Sequence, residues 1–226
     1  LQLFSVGLPG TAAAGALGGA FSGLVAGEPA ALGWNPAGLG GFQGQAVQFT
    51  HVQWLGDVTY DGVAYAKAIA PKGGLGVRAI YAQSGEMTRT SEDPGTGTFA
   101  QESGSFRNSD LAVSVGIGQV LGRTWRVGGA VTYLRDSVAG DDVASVAADA
   151  GLHLALGRDG AHGVGVSVQN LGGRLGGAAL PLLVRAGAGA RFLRDRALQV
   201  AAEGRYAVDG GRISAGGGVE YWIVKA

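Results

Sequence analysis

Beyond Phe42 the chain keeps one rhythm: an apolar residue at every second position, with glycine, alanine, serine or a charged side chain between. A period of two marks an extended strand with two unlike faces. Residues 111–119 show it most cleanly, with Leu111, Val113, Val115 and Ile117 opposite Ala112, Ser114, Gly116 and Gly118. In 125–133, Trp125, Val127, Val131 and Tyr133 oppose Arg126, Gly128, Ala130 and Thr132. In 146–154, Val146, Leu152 and Leu154 oppose Asp149, Gly151 and His153, and 164–169 follows suit. Arg185 and Arg191 fall opposite the apolar residues of 182–192, Glu203 and Arg205 opposite those of 198–206, and Glu220 opposite those of 212–223. Upstream, 75–83 carries Arg78 on its small face, while 45–53 and 58–69 alternate less cleanly. The pattern predicts about ten strands of roughly 9–12 residues, the length that crosses a bilayer when tilted.

Alternation alone does not say which face is wet. In a soluble sandwich the apolar face is buried and the other is solvated, but here that other face is mostly glycine, alanine and serine. The chain has 15% charged residues and only three lysines, Lys67, Lys72 and Lys225, well under the roughly 25% charge of a soluble domain. Reversing the faces removes the mismatch: the apolar face meets lipid and the small face lines a narrow interior. No apolar run reaches the roughly 18 residues of a spanning helix, so a membrane crossing would need a closed barrel. Glycine is abundant, at 44 residues, but with 46% hydrophobic residues and zero net charge the chain lacks the signature of disorder. The neutral charge and the lack of a basic patch interleaved with aromatics speak against nucleic acid. The absence of cysteine excludes disulfides and thiolate chemistry.

On this reading Arg78, Arg126, Asp149, His153, Arg185, Arg191, Glu203, Arg205 and Glu220 share one interior and can pair there. Trp125 and Tyr133 lie about 26 Å apart along one apolar stripe, near the spacing of two aromatic girdles; Tyr206 and Tyr221 join them as candidates. Short connections around 71–73, 121–123, 157–162 and 194–196 fall after every second strand. The longest loop, 84–109, with Met87, Asp93-Pro94-Gly95 and Phe99, falls at the other end. Short turns on one side and long loops on the other are the habit of an outer-membrane barrel, although Asp209-Gly210-Gly211 is tight on the long-loop side. Such loops are where partner proteins would dock. Export requires a signal peptide, which the sequence does not show, so Leu1 is expected to follow its removal.

Residues 1–41 break the rhythm. They are rich in alanine and glycine, with a predicted short helix over 12–26 followed by Trp34-Asn35-Pro36-Ala37-Gly38-Leu39. This segment and Ala20-Phe21-Ser22-Gly23-Leu24 resemble the PorV/PorQ family of outer-membrane barrels, relatives of the FadL transporters of hydrophobic compounds. The likeness continues in His51-Val52-Gln53-Trp54-Leu55, Val168-Gln169-Asn170-Leu171-Gly172 and Gly218-Val219-Glu220-Tyr221-Trp222, and so covers nearly the whole chain. It implies an all-β, antiparallel up-and-down transmembrane barrel of 14 strands. Residues 1–41 would be a small helical hatch tucked inside and 42–226 the barrel. With about ten strands in view, the resemblance implies further C-terminal strands; a closed ten-strand barrel is the alternative. Trp34, Asn35, Pro36, Ala37 and Gly38 would be the hatch motif. Pro36 biases Asn35 away from helix, and Asn35 can cap a turn; hatch element and plain structural turn are compatible readings.

No pattern points to catalysis. His51, His153 and His162 lack metal-ligand spacing. His153 near Asp149 could be a ligand or relay, or simply a paired interior residue. Gly15-Ala16-Leu17-Gly18-Gly19 is too loose for a dinucleotide fingerprint. Glu203 and Glu220 could be an acid–base pair, but the arginines beside them favour charge pairing. No cofactor or metal is expected. Two functions remain: a non-enzymatic accessory or scaffold barrel in protein secretion or cell-surface assembly, touching membrane lipid and other outer-membrane or secreted proteins; or a FadL-like channel for hydrophobic small molecules. A soluble β-sandwich is a third.

Overall fold

The computed structural model describes residues 11–69, 72–92, 95–157, 161–192 and 197–223. Residues 1–10 of the expected hatch, Pro71, Asp93-Pro94, the charged turn residues 158–160 and 194–196, and Lys225 lie outside the described residues, as does the side chain of Phe99.

The period of two becomes strand wherever it was read. In chain order the strands are β1 (Gln45–Gln53), β2 (Thr59–Ile69), β3 (Gly73–Gln83), β4 (Met87–Glu92), β5 (Phe99–Phe106), β6 (Ser109–Leu121) and β7 (Trp125–Val138). There follow β8 (Asp141–Leu156), β9 (His162–Leu171), β10 (Arg174–Leu175), β11 (Ala178–Ala179), β12 (Leu183–Phe192), β13 (Leu198–Ala207) and β14 (Arg212–Tyr221). Ten of them form one antiparallel sheet in the order β1-β2-β3-β6-β7-β8-β9-β12-β13-β14. The other four make two small hairpins, β4–β5 and β10–β11, inserted at one end of the sheet. Among the described residues β1 and β14 each pair on one side only, so the sheet has two free edges.

Three expectations change in detail. The strands run longer than 9–12 residues in the middle of the sheet, where β8 reaches 16. The loop 84–109 contains a hairpin, unread in the sequence because Thr88, Arg89 and Thr90 carry no apolar alternation. A second tight turn joins β7 to β8 on the long-loop side. Ala139 and Gly140 both take positive φ, the conformation of a two-residue hairpin turn that matches strand twist.

The predicted helix over 12–26 shrinks to α1 (Ala12–Ala16), capped by Thr11, whose side chain accepts from Ala14 N at 3.1 Å. Gly18 and Gly19 then take φ of 61° and 75°, which no continuing helix allows. Two 3-10 turns follow, Pro29–Gly33 and Pro36–Leu39.

Residues 11–42 lie against one face of the sheet and touch it from edge to edge. Leu17 meets Gly218 of β14, the turn Pro29–Gly33 meets β1 and β2, and Leu39 meets Gly74 of β3. The indole of Trp34 reaches Gly19 O beside Arg205 of β13, while the adjoining Gly33 lies on Arg78 of β3, so the sheet bends round the segment. The principal core forms here, from Leu17, Phe21, Leu24, Val25, Leu32, Trp34 and Leu39. At the long-loop end Leu175 and Leu180, from around the β10–β11 hairpin, fold back onto Ala112, Leu134 and Ala147.

Among the described residues the opposite face has no such cover. Ile117, Val131 and Val146 stand in central strands yet are each more than half exposed. Trp125, Tyr133, Tyr206 and Tyr221 all lie on this outward face. Trp125 and Tyr221 sit at the short-turn ends of their strands, and Tyr133 and Tyr206 toward the other end. An apolar surface this continuous is unusual for a protein that meets water alone.

Candidate functional site: the seat of residues 11–42

The inward face is built for close approach. A Cβ at Gly128 would meet the backbone of Pro36 and Ala37, and one at Gly163 the carbonyl of Gly23. The small-face glycines thus let backbone lie directly on the sheet, and that backbone brings polar groups that must be paired when buried.

Around the motif 34–38 the pairing is neutral. Trp34 packs edge-on against Phe21 at 5.4 Å between centroids, and its indole N–H donates to Gly19 O at 3.2 Å. Asn35 is fully buried. Its Oδ1 accepts from Ala37 N at 3.0 Å and caps the turn Pro36–Leu39, while Nδ2 donates to Leu152 O at 2.8 Å and Val166 O at 3.3 Å. One side chain therefore holds the turn and pins it to β8 and β9. Pro36, Ala37 and Gly38 are buried beneath it. Ser167 donates to Trp34 O at 2.6 Å, and Gln169 to Gly33 O at 3.3 Å.

Over β12 and β13 the pairing is ionic. Arg185 and Arg205 are register partners on neighbouring strands, an arrangement that repels unless a negative charge is shared. Glu203 supplies it: Oε1 accepts from Arg185 at 2.8 Å and from Arg205 at 3.0 Å. Its Oε2 accepts from the backbone N–H of Phe21 (3.2 Å) and of Ser22 (3.0 Å). The Glu203 side chain has no exposure at all. Arg205 also donates to Gly18 O at 3.1 Å, and Arg185 to Gln169 Oε1 at 2.8 Å.

Backbone and neutral side chains take much of the hydrogen bonding of the remaining interior groups. Arg191 donates to Leu24 O at 2.8 Å and to Gln199, which in turn donates to Glu220 at 3.1 Å. Arg126 donates to Gly40 O at 3.0 Å. His153 Nε2 donates to Gly23 O at 3.1 Å, and its Nδ1 accepts from Arg126 at 3.3 Å. Asp149 accepts from Asn170 N at 2.8 Å, where the β8–β9 register slips and Asn170 takes a φ of 65°. Arg78 lies 6.0 Å over the Trp34 ring and donates to Tyr60 OH at 3.3 Å.

Of the inward groups expected to share one interior, Glu203 meets Arg185 and Arg205, and Arg126 meets His153, while several of these side chains also reach backbone or neutral groups. The reason is that the segment's backbone carbonyls and amides compete for the same donors and acceptors. His153 and Asp149 do not meet, and both nitrogens of His153 are occupied. Glu203 faces Gly216 across β13–β14, and Glu220 faces Gln199, so the two carboxylates form no acid–base pair. Ser167, Gln169, Gln199 and Tyr60 were missed; their only sequence signal is a polar residue on an otherwise small face.

Within the segment itself, burial pushes the Glu28 carboxyl above its ordinary range, with Arg191 opposing the shift and Glu220 adding to it. A cavity of about 10 Å³ remains beside Ala30, Gln48 and Arg78, room for about one water. No group of three or more His, Cys, Asp or Glu that could hold a metal occurs among the described residues. What this arrangement does chemically is hold a chain segment in place.

No protein-family model matches the sequence, and no curated protein matches it. The resemblance to PorV/PorQ barrels therefore rests on the residues quoted for it alone.

Proposed function

We propose that the chain forms the wall and plug of an outer-membrane β-barrel without enzymatic activity, serving as an accessory or scaffold subunit in protein secretion or cell-surface assembly. The wall would be completed between β14 and β1, and the outward apolar face would meet lipid. The observation that carries this reading is the division of labour between the faces. The outward face exposes Val, Ile, Leu and aromatic side chains, while on the inward face Arg126, His153, Arg191, Glu203 and Arg205 all bind the backbone of residues 11–42. A solute channel needs free interior volume and unengaged polar groups, so the filled seat weighs against the FadL-like alternative. Partner proteins would then contact the exposed β4–β5 hairpin rather than the interior.

Extraction into mild detergent followed by mass spectrometry of bound lipid and protein tests this. A defined complex without a small-molecule ligand is the expected result. A monomer carrying fatty acid overturns the accessory role, and a monomer soluble without detergent overturns the membrane reading. Val131→Arg sharpens the second point: in a bilayer it should cost about 2–4 kcal/mol, whereas on a water-exposed face it should stay within about 0.5 kcal/mol.

A further inference from the structure

Among the described residues the outward apolar face carries ionic pairs that the plug seat does not explain, Arg135 with Asp142 and His51 with Asp61, and the second of them borders a groove. His51 of β1 and Asp61 of β2 are register partners. Their side chains meet at 2.7 Å, Nδ1 to Oδ1, and both are more than half exposed. They stand at the rim of a groove of about 550 Å³. The groove has a simple cause. In the outward row Phe49–Val63–Ala79 the last residue is only a methyl group, flanked by the larger Tyr81 two positions on. Val63 and Ala79 form the floor, and Phe49 and Tyr81 the walls.

An imidazole that donates through Nδ1 leaves Nε2 as an acceptor when neutral, and the second oxygen of Asp61 accepts as well. Among the described residues neither atom meets a protein donor. The pair thus presents two acceptors and one negative charge at the head of an apolar groove. The complementary ligand has a hydrogen-bonding cation attached to a long apolar chain.

We propose that this groove binds one phospholipid with a primary ammonium headgroup, a phosphoethanolamine lipid. The ammonium donates to Asp61 and His51, and an acyl chain lies over Val63 and Ala79 between Phe49 and Tyr81. A choline headgroup carries the charge but has no N–H to donate, and an anionic glycerol headgroup is repelled by Asp61. The proposal rests on the outward face meeting lipid.

The test uses the full chain inserted into bilayers of equal parts phosphoethanolamine, phosphocholine and phosphoglycerol lipid, with retained lipid read by native mass spectrometry. Insertion is scored separately by co-flotation with vesicles. The inserted protein should retain the phosphoethanolamine lipid about threefold to tenfold over the others. Asp61→Asn, which removes the charge, and Ala79→Leu, which fills the groove without touching the pair, should both insert and both lose that preference. Equal retention of the three lipids by inserted protein overturns the site and leaves the membrane reading standing. A preference that survives in both variants also overturns it. A wild-type chain that does not insert overturns the membrane reading and the site with it.

Discussion

Residues 29–40 and residues 17–24 belong to one segment and rest on one sheet, yet they are held by different means. The first stretch folds into 3-10 turns that pair much of their own backbone: Ala31 N to Glu28 O, Gly38 N to Asn35 O, Gly40 N to Ala37 O. What is left over is taken mainly by neutral groups, Asn35 itself, Ser167 and Gln169, deep over β8 and β9. The second stretch has little regular structure. Its unpaired amides at Phe21 and Ser22 go to Glu203, and its carbonyls at Gly18 and Leu24 go to Arg205 and Arg191. The accounting of buried backbone groups is the same in both places. The difference is that longer charged arms reach across where the segment lies nearer the free edge at β14, while short neutral side chains suffice where glycine lets the backbone touch the wall.

That contrast can be broken from either side. Glu203→Ala should be the most damaging change, because it strips the shared partner from two largely buried arginines and from two amides. The expected loss is about 3–5 kcal/mol, read as a fall in the unfolding midpoint in detergent. Gly128→Ala attacks the other half by putting a methyl group against the Pro36–Ala37 backbone, at a cost of about 1–3 kcal/mol. Its control is Gly204→Ala on the outward side, where the nearest atom to a new Cβ is 4.0 Å away and the effect should stay within about 0.5 kcal/mol. Equal effects at the two glycines would remove close approach as the explanation.

The smallest effect concerns Glu28. Its pKa is raised in the folded chain by burial, so folding favours the protonated acid. This costs stability as pH rises from the ordinary glutamate value of 4.5 through the higher folded one. Glu28→Gln should therefore raise the unfolding midpoint at neutral pH and leave it nearly unchanged below that value. A variant no more stable than wild type at pH 7 would show that Arg191 outweighs the burial.

The sheet is legible because its signal is repeated: every second residue reports the same face, and the cleanest alternation, over 111–119, falls within β6. The side on which Arg78, Arg126, Arg185 and Glu203 fall was legible for the same reason. Their partners were not. A side chain that binds backbone leaves no complementary residue type in the sequence, so Arg126 gives no hint that it reaches Gly40 O. The segment 12–26 was misread as helix because alanine argues for helix while the glycines at 18 and 19 argue against it, and the positive φ they adopt decided the outcome.

The contacts of Glu203 with Phe21 and Ser22 join residues more than 180 positions apart. The stretch around Phe21 and Ser22 can therefore be fastened in full only after β13 is in place, although residues 33–37 can already meet β8 and β9. Contacts of this range slow folding. Until that strand arrives, the amides of Phe21 and Ser22 lack the carboxylate that pairs them. Assembly order is thus built into the plug seat: a stretch that precedes the whole sheet in the chain is secured by one of its last strands in view.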